Sequence, residues 1–125
     1  MPKKAAPQPK WLEDVEDHDF DAAVSYLGLI YTGKQSARLV AALRAAKLSH
    51  FKAKDIFRAS QLSLLGVSNS HVNKDRKKIK KGVSLSPLLL VRDRRNGKVV
   101  VADGYHRLCA VYQVDEDAWV PCKIV

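Results

Sequence analysis

The chain has little from which to build a disulfide framework or a zinc site. It holds two cysteines in 125 residues, and Cys109 and Cys122 both fall in apolar stretches, which predicts two buried thiols rather than a bridge. The histidines His18, His50, His71 and His106 are scattered, and neither cysteine has a near partner, so zinc-ligand spacing is absent. No apolar run approaches the length of a membrane span. The opening Met1–Lys10 carries prolines and lysines where a signal peptide would be apolar. The expectation is a cytoplasmic protein without membrane contact. A hydrophobic share of 46% over this length fits one domain with a modest core.

Acid is also scarce, but only in places. Glu13, Asp14, Glu16, Asp17, Asp19 and Asp21 crowd one short segment without a lysine or arginine, whereas Asp55 and Asp75 are the only acids from Lys34 to Lys81. The middle of the chain is therefore more basic than the net charge of +9 suggests. A polyanion is its natural partner.

Periodicity divides the chain. Residues 1–18 read as a flexible arm ending in acids, and 19–125 as a single domain with a helical part (19–66) and a part (67–125) holding a sheet and one further helix. From Phe20, the residues Val24, Leu27 and Tyr31 recur at helical spacing, with Gly33 as the stop. Ser36–Lys47 gives a second helix with Leu39, Leu43 and Ala46 as its apolar stripe, and Ala53–Ser60 a short third. Ser70–Lys81 is the next helix, stopped by Gly82. Its Lys74, Lys77, Lys78 and Lys81 form one basic face opposite Val72 and Ile79. Pro87 opens a strand over Leu88–Val91. Asp93–Gly97 makes a hairpin in which Asn96-Gly97 suits positive φ values. Val99–Ala102 returns, Tyr105–Gln113 is a helix, and Trp119–Val125 closes the sheet.

The junction Val99–Asp103, Gly104, Tyr105–Val111 carries the chemistry. A strand that runs through Asp-Gly into a helix aims unpaired backbone N–H groups at one spot, and the helix dipole favours an anion there. Gly104 leaves room for a ligand to approach the backbone. His106 donates from a ring nitrogen, and Arg107 holds two oxygens with its planar fork. Arg107, as an exposed first-turn residue, is expected to be replaceable without harm to the fold. The competing structural reading is that Asp103 caps the helix itself, or that Arg107 only pairs with Asp103 or another acid. Asp115, Glu116 and Asp117 read as a solvated loop rather than a metal site.

The run Asp103-Gly104-Tyr105-His106-Arg107 with Ala110, the ending Val120–Val125, Gly82 and Ser86–Val91 resemble the fold shared by sulfiredoxins and the N-terminal domain of ParB chromosome-partitioning proteins. The resemblance covers roughly the second half of the chain. It implies an α+β fold with a small mixed sheet, packed helices and a helical N-terminal extension, and nucleotide phosphates bound at the turn. An approximate alignment through Ile79 places His71, Lys74 and Lys78 where sulfiredoxins hold nucleotide with Lys, Ser and Thr. Two departures matter. Tyr105 stands at the reacting cysteine of sulfiredoxins, and a phenol near its normal pKa cannot replace that thiol. Asp103 replaces a glycine, where it either weakens an anion or helps hold an accompanying Mg2+.

These residues point first to a nucleotide- or phosphate-binding module built on Gly104, Tyr105, His106 and Arg107 with His71, Lys74 and Lys78, its cofactor a nucleoside triphosphate with Mg2+. The alternative is a non-specific DNA- or RNA-binding protein or ParB-like nuclease, using Lys74, Lys77, Lys78 and Lys81 with Arg92, Arg94 and Arg95. A third reading keeps the fold only as a scaffold for a protein partner or a homodimer.

Overall fold

The computed structural model describes residues 7–66 and 68–125. Five helices and four strands follow in the order α1 (Asp17–Leu27), α2 (Gly33–Ala45), β1 (Ser49–Lys52), α3 (Ala53–Ser60), α4 (Ser70–Lys81), β2 (Leu88–Asp93), β3 (Lys98–Asp103), α5 (Tyr105–Val114) and β4 (Trp119–Ile124). The strands form one mixed sheet in the order β1-β4-β2-β3. β2 runs parallel to β4, and the other two pairings are antiparallel. The α+β class expected from the sequence is what the chain adopts.

Strand alternation sends the apolar run of β2 into two cores. Leu88 and Leu90 join Val101, Val120 and Cys122 on the face covered by α3, α4 and α5. Leu89 and Val91 join Val100 and Ala102 on the opposite face, against Phe20, Ala23 and Leu27 of α1 and Val40 and Leu43 of α2. A sheet buried on both sides explains why Leu88–Val91 is continuously apolar instead of alternating. Each fully buried leucine contributes about 1.5–3 kcal/mol.

Several local expectations change. Trp11 bridges to Leu85, with Leu12 N–H donating to Leu85 O at 2.8 Å and Leu85 N–H to Lys10 O at 2.7 Å. The stretch from Lys10 to the start of α1 is thus docked on the domain rather than an arm, while residues 1–6 of that expected arm lie outside the described residues. α1 ends at Leu27, leaving Val24 exposed, and Gly33 opens α2 instead of stopping α1. The start signal for α2 is a capping box, in which Thr32 Oγ1 accepts from Gln35 N–H and the Gln35 side chain accepts from Thr32 N–H. The stripe of α2 is Ser36, Val40 and Leu43, with Leu39 and Ala46 only partly buried.

The expected all-helical part also contains a strand, because β1 exists only through its pairing with β4. In the hairpin Gly97 alone has positive φ, and Asn96 instead donates from its side chain to Asp93 Oδ2 at 2.8 Å. α4 matches its expected limits, with Asn69 Oδ1 capping its start and Gly82 at φ 74° closing it. Cys109 and Cys122 are buried and free. Burial pushes both thiols up, Cys122 to about 12.

Candidate functional site

The strand-to-helix junction places Gly104 at φ 106° before α5, and among the described residues no side chain caps that helix. The first N–H groups of α5 therefore keep no partner within the helix. Asp103 does not cap it, contrary to one expectation, because its carboxylate is turned to Arg107. The glycine is required for a different reason from the one expected. A Cβ at Gly104 would stand 2.8 Å from Leu88 Cγ and 2.9 Å from Arg107 Nη2, so its absence makes room for the protein's own packing.

A recess of about 210 Å³ opens at this turn. α5 and its cap contribute Gly104, Tyr105, His106 and Arg107, and α4 contributes His71, Lys74 and Lys78. All seven residues assigned to phosphate binding from the sequence thus line one recess, together with Asp103 and with Asp75, which sequence reasoning missed. The α4–α5 packing achieves this, with Val72 and Ile79 in the same core as Leu108 and Val111. The rings of His71 and His106 lie 4.9 Å apart.

Arg107 is held from behind. Its Nη2 donates to Asp103 Oδ2 at 3.0 Å, to Pro87 O at 3.3 Å and to Asp19 Oδ2 at 3.4 Å. Its side chain is 17% exposed, and those of Asp19 and Asp103 are 6% and 16% exposed. Arg107 is therefore not an exposed residue that can be removed without harm, since two buried carboxylates depend on it. Its Nε–H is buried and has no hydrogen-bond partner among the described residues. Asp19 comes from α1, so the acidic segment does reach this site, from beneath the arginine.

Charges in the recess shift one another. Burial pushes the pKa of Asp103 up against the pull of Arg107, and the Asp19 carboxylate adds to the rise. Burial and the neighbouring His71 and Arg107 lower the pKa of His106, opposed by Asp75. The neutral imidazole is thus favoured until an anion enters. Burial likewise raises Asp75, against Lys78, Arg107, His106 and Lys74. Tyr105 donates its hydroxyl to Ser63 O, which ties α5 to the segment before α4.

At Asp103, the position expected to hold Mg2+, Oδ2 is engaged by the Arg107 guanidinium, and among the described residues no group of three His, Cys, Asp or Glu could hold a metal ion. The acidic loop Asp115–Asp117 serves α3, where Glu116 O and Ala118 O accept from Lys54 and Ala53 N–H and Asp117 pairs with Lys54 at 2.6 Å.

The residues assigned to nucleic-acid binding are not brought together. Lys74 and Lys78 turn into the recess, whereas Lys77 lines a separate hollow of about 560 Å³ with Arg76 and Lys80, and Lys81 is exposed. Arg94 and Arg95 sit in the hairpin, with Arg92 near it on β2. Asp103 and Lys98 close opposite ends of β3, so the hairpin is about 17 Å from the Gly104 turn at ~3.3 Å per residue.

No protein-family model, no curated protein and no solved structure matches this chain. No helix among the described residues is long and apolar enough to cross a membrane.

Proposed function

We propose that the protein binds a phosphate group, free or carried by a nucleotide, in the recess at the start of α5. The observation that supports this most is convergence. Two helices aim Lys74, Lys78, His71, His106 and Arg107 at one helix N-terminus that no side chain caps. An anion there gains from the orphan N–H groups, the helix dipole and charge-assisted hydrogen bonds at once. The resemblance of Asp103–Arg107 to the phosphate turn of sulfiredoxins and ParB proteins leads to the same ligand. At about 210 Å³ the recess is smaller than the ~300–1,000 Å³ of typical small-molecule sites, so it holds phosphate groups and leaves a base outside.

The reading stops at binding. Sulfinic-acid reduction has no candidate nucleophile, since Tyr105 replaces the thiol and Cys109 is fully buried with its pKa raised. Calorimetric titration with inorganic phosphate, pyrophosphate and nucleoside mono- and triphosphates tests the proposal, with amide shifts of Tyr105, His106 and Arg107 locating the ligand. Saturable binding that Lys74→Ala/Lys78→Ala removes supports it; heat and shifts absent for every phosphate overturn it.

A second reading rests on the four lysines of α4, two lining the recess and two outside it. If roughly four lysines, Lys74, Lys77, Lys78 and Lys81, neutralise phosphates of a duplex, the log–log salt slope is about −3.6. Charge reversal at Arg94 and Arg95 then leaves that slope unchanged, because the hairpin stands apart from α4.

A further inference from the structure

The recess contains one group that a simple anion site does not call for. Asp75 lies on the buried side of α4 with Val72 and Ile79, at a position where a third apolar residue would be expected. It is only 9% exposed, yet it lines the recess. Asp19 and Asp103 are also largely buried, but both are bonded to Arg107. Asp75 differs, since among the described residues it forms no ion pair within 4.0 Å and no side-chain hydrogen bond. Its side chain is mostly buried but its oxygens open on the recess, so a ligand there is a partner within reach.

The charged groups facing Asp75 are Lys74 and Lys78 on its own helix and His106 and Arg107 from α5. They attract an anion, while Asp75 repels any oxygen that has no proton. A ligand that satisfies both carries negative oxygens on one side and an O–H on another. Phosphate monoesters meet this requirement at about pH 6, because their second ionisation has a pKa of ~6, and inorganic phosphate retains an O–H through neutral pH. Sulfate and phosphodiesters have no such proton.

We propose that Asp75 determines specificity at this site by accepting a hydrogen bond from a protonated phosphate oxygen, so that the recess takes inorganic phosphate or a terminal phosphomonoester and rejects sulfate and phosphodiesters. The inference rests on the phosphate-binding reading above. A ligand arriving without the proton takes one up from solvent, and no bond to phosphorus is made or broken. The anion also offsets the cations that hold the Asp75 carboxylate down, which strengthens its grip on the shared proton.

The test is a calorimetric series on the full chain at about pH 6 with inorganic phosphate, sulfate, a nucleoside 5′-monophosphate and a dinucleoside phosphodiester. A hydrogen bond to a charged group corresponds to about 10–100-fold in affinity. Phosphate and the monoester should therefore exceed sulfate and the diester by at least that lower figure. The tighter of the first two identifies which source the site prefers. Asp75→Asn keeps the shape and can donate, so it should bring sulfate to within about threefold of phosphate. Equal binding of phosphate and sulfate by the unmodified protein overturns the specificity proposal and leaves the anion site standing. Binding of none of the four overturns the phosphate-binding reading itself, and this inference with it. The comparison in unmodified protein decides the matter even if Asp75→Asn fails to fold.

Discussion

The recess at Gly104 and the β2–β3 hairpin use the same cationic residue types with opposite results. At the recess, Lys74, Lys78, His106 and Arg107 come from two helices, and the arginine is anchored on Asp19 and Asp103. At the hairpin, Arg94 and Arg95 are exposed, and Asp93 is engaged by Asn96. Charge that solvent and salt can reach is screened, while charge that converges in a partly buried hollow keeps its field. A count of basic residues cannot separate the two regions; the buried carboxylates beneath one of them can.

Removing the arginine from each region should give the largest contrast. Arg107→Ala leaves the largely buried Asp103 unpaired and Asp19 with His18 alone, and should cost about 3–5 kcal/mol of stability. Arg94→Ala should fall within about 0.5 kcal/mol of the unmodified protein. Urea denaturation of both variants measures the difference, and equal midpoints would falsify the anchoring role of Arg107.

The glycines of the two regions offer the next contrast. Gly104→Ala meets Leu88 and Arg107 as well as an unfavourable φ of 106°, whereas Gly97→Ala at φ 64° has open space around its Cβ. Positive-φ strain alone is worth about 1–3 kcal/mol, so Gly97→Ala should lose up to that amount and Gly104→Ala more. Thermal unfolding of the pair ranks them, and a Gly104→Ala variant as stable as Gly97→Ala contradicts the packing account.

Ligand affinity should follow the same division. Lys78→Ala should weaken phosphate binding about tenfold, the equivalent of ~1.4 kcal/mol, and Arg95→Ala should leave it unchanged. Calorimetry on both decides whether the two regions share the ligand.

The smallest effect concerns pH. The pKa of His106 is lowered from 6.5, mainly by burial. The unfolded chain therefore binds the proton more readily, so this group's contribution to stability is present above pH 6.5 and is lost as pH falls from there through the lowered folded-state value. Phosphate binding runs the other way, because the anion favours the protonated ring, and affinity should rise a few-fold as pH drops below 6.5. His106→Gln should flatten that rise, and an unaltered profile in the variant excludes His106 from the site.

Much of this arrangement was legible before the structure. α3 and α4 have the limits their spacing implies, and the seven residues assigned to a phosphate site from Gly104-Tyr105-His106-Arg107 and α4 do share a recess. Local signals sufficed there, since Asn69 and Gly82 bracket α4 and a glycine separates β3 from α5. The capping box Thr32-x-x-Gln35 was equally local and would have corrected the limits of α2. β1 had no such signal, because Ser49–Lys52 is four residues long and its extended form depends on β4.

The sequence by itself determined the helices with strong caps and periodicity, the glycine turn, and the cationic residues that stand near it. These follow from interactions a few residues apart, which the order of residues displays directly. Only the tertiary structure decided that α1 and α2 cover the second face of the sheet, that Asp19 reaches Arg107 across 88 positions, and that Asp75 stands unpaired among cations while Lys77 turns away. Packing brings those groups together over distances at which the chain carries no local pattern. A buried carboxylate is indistinguishable in sequence from a solvated one until its surroundings are known.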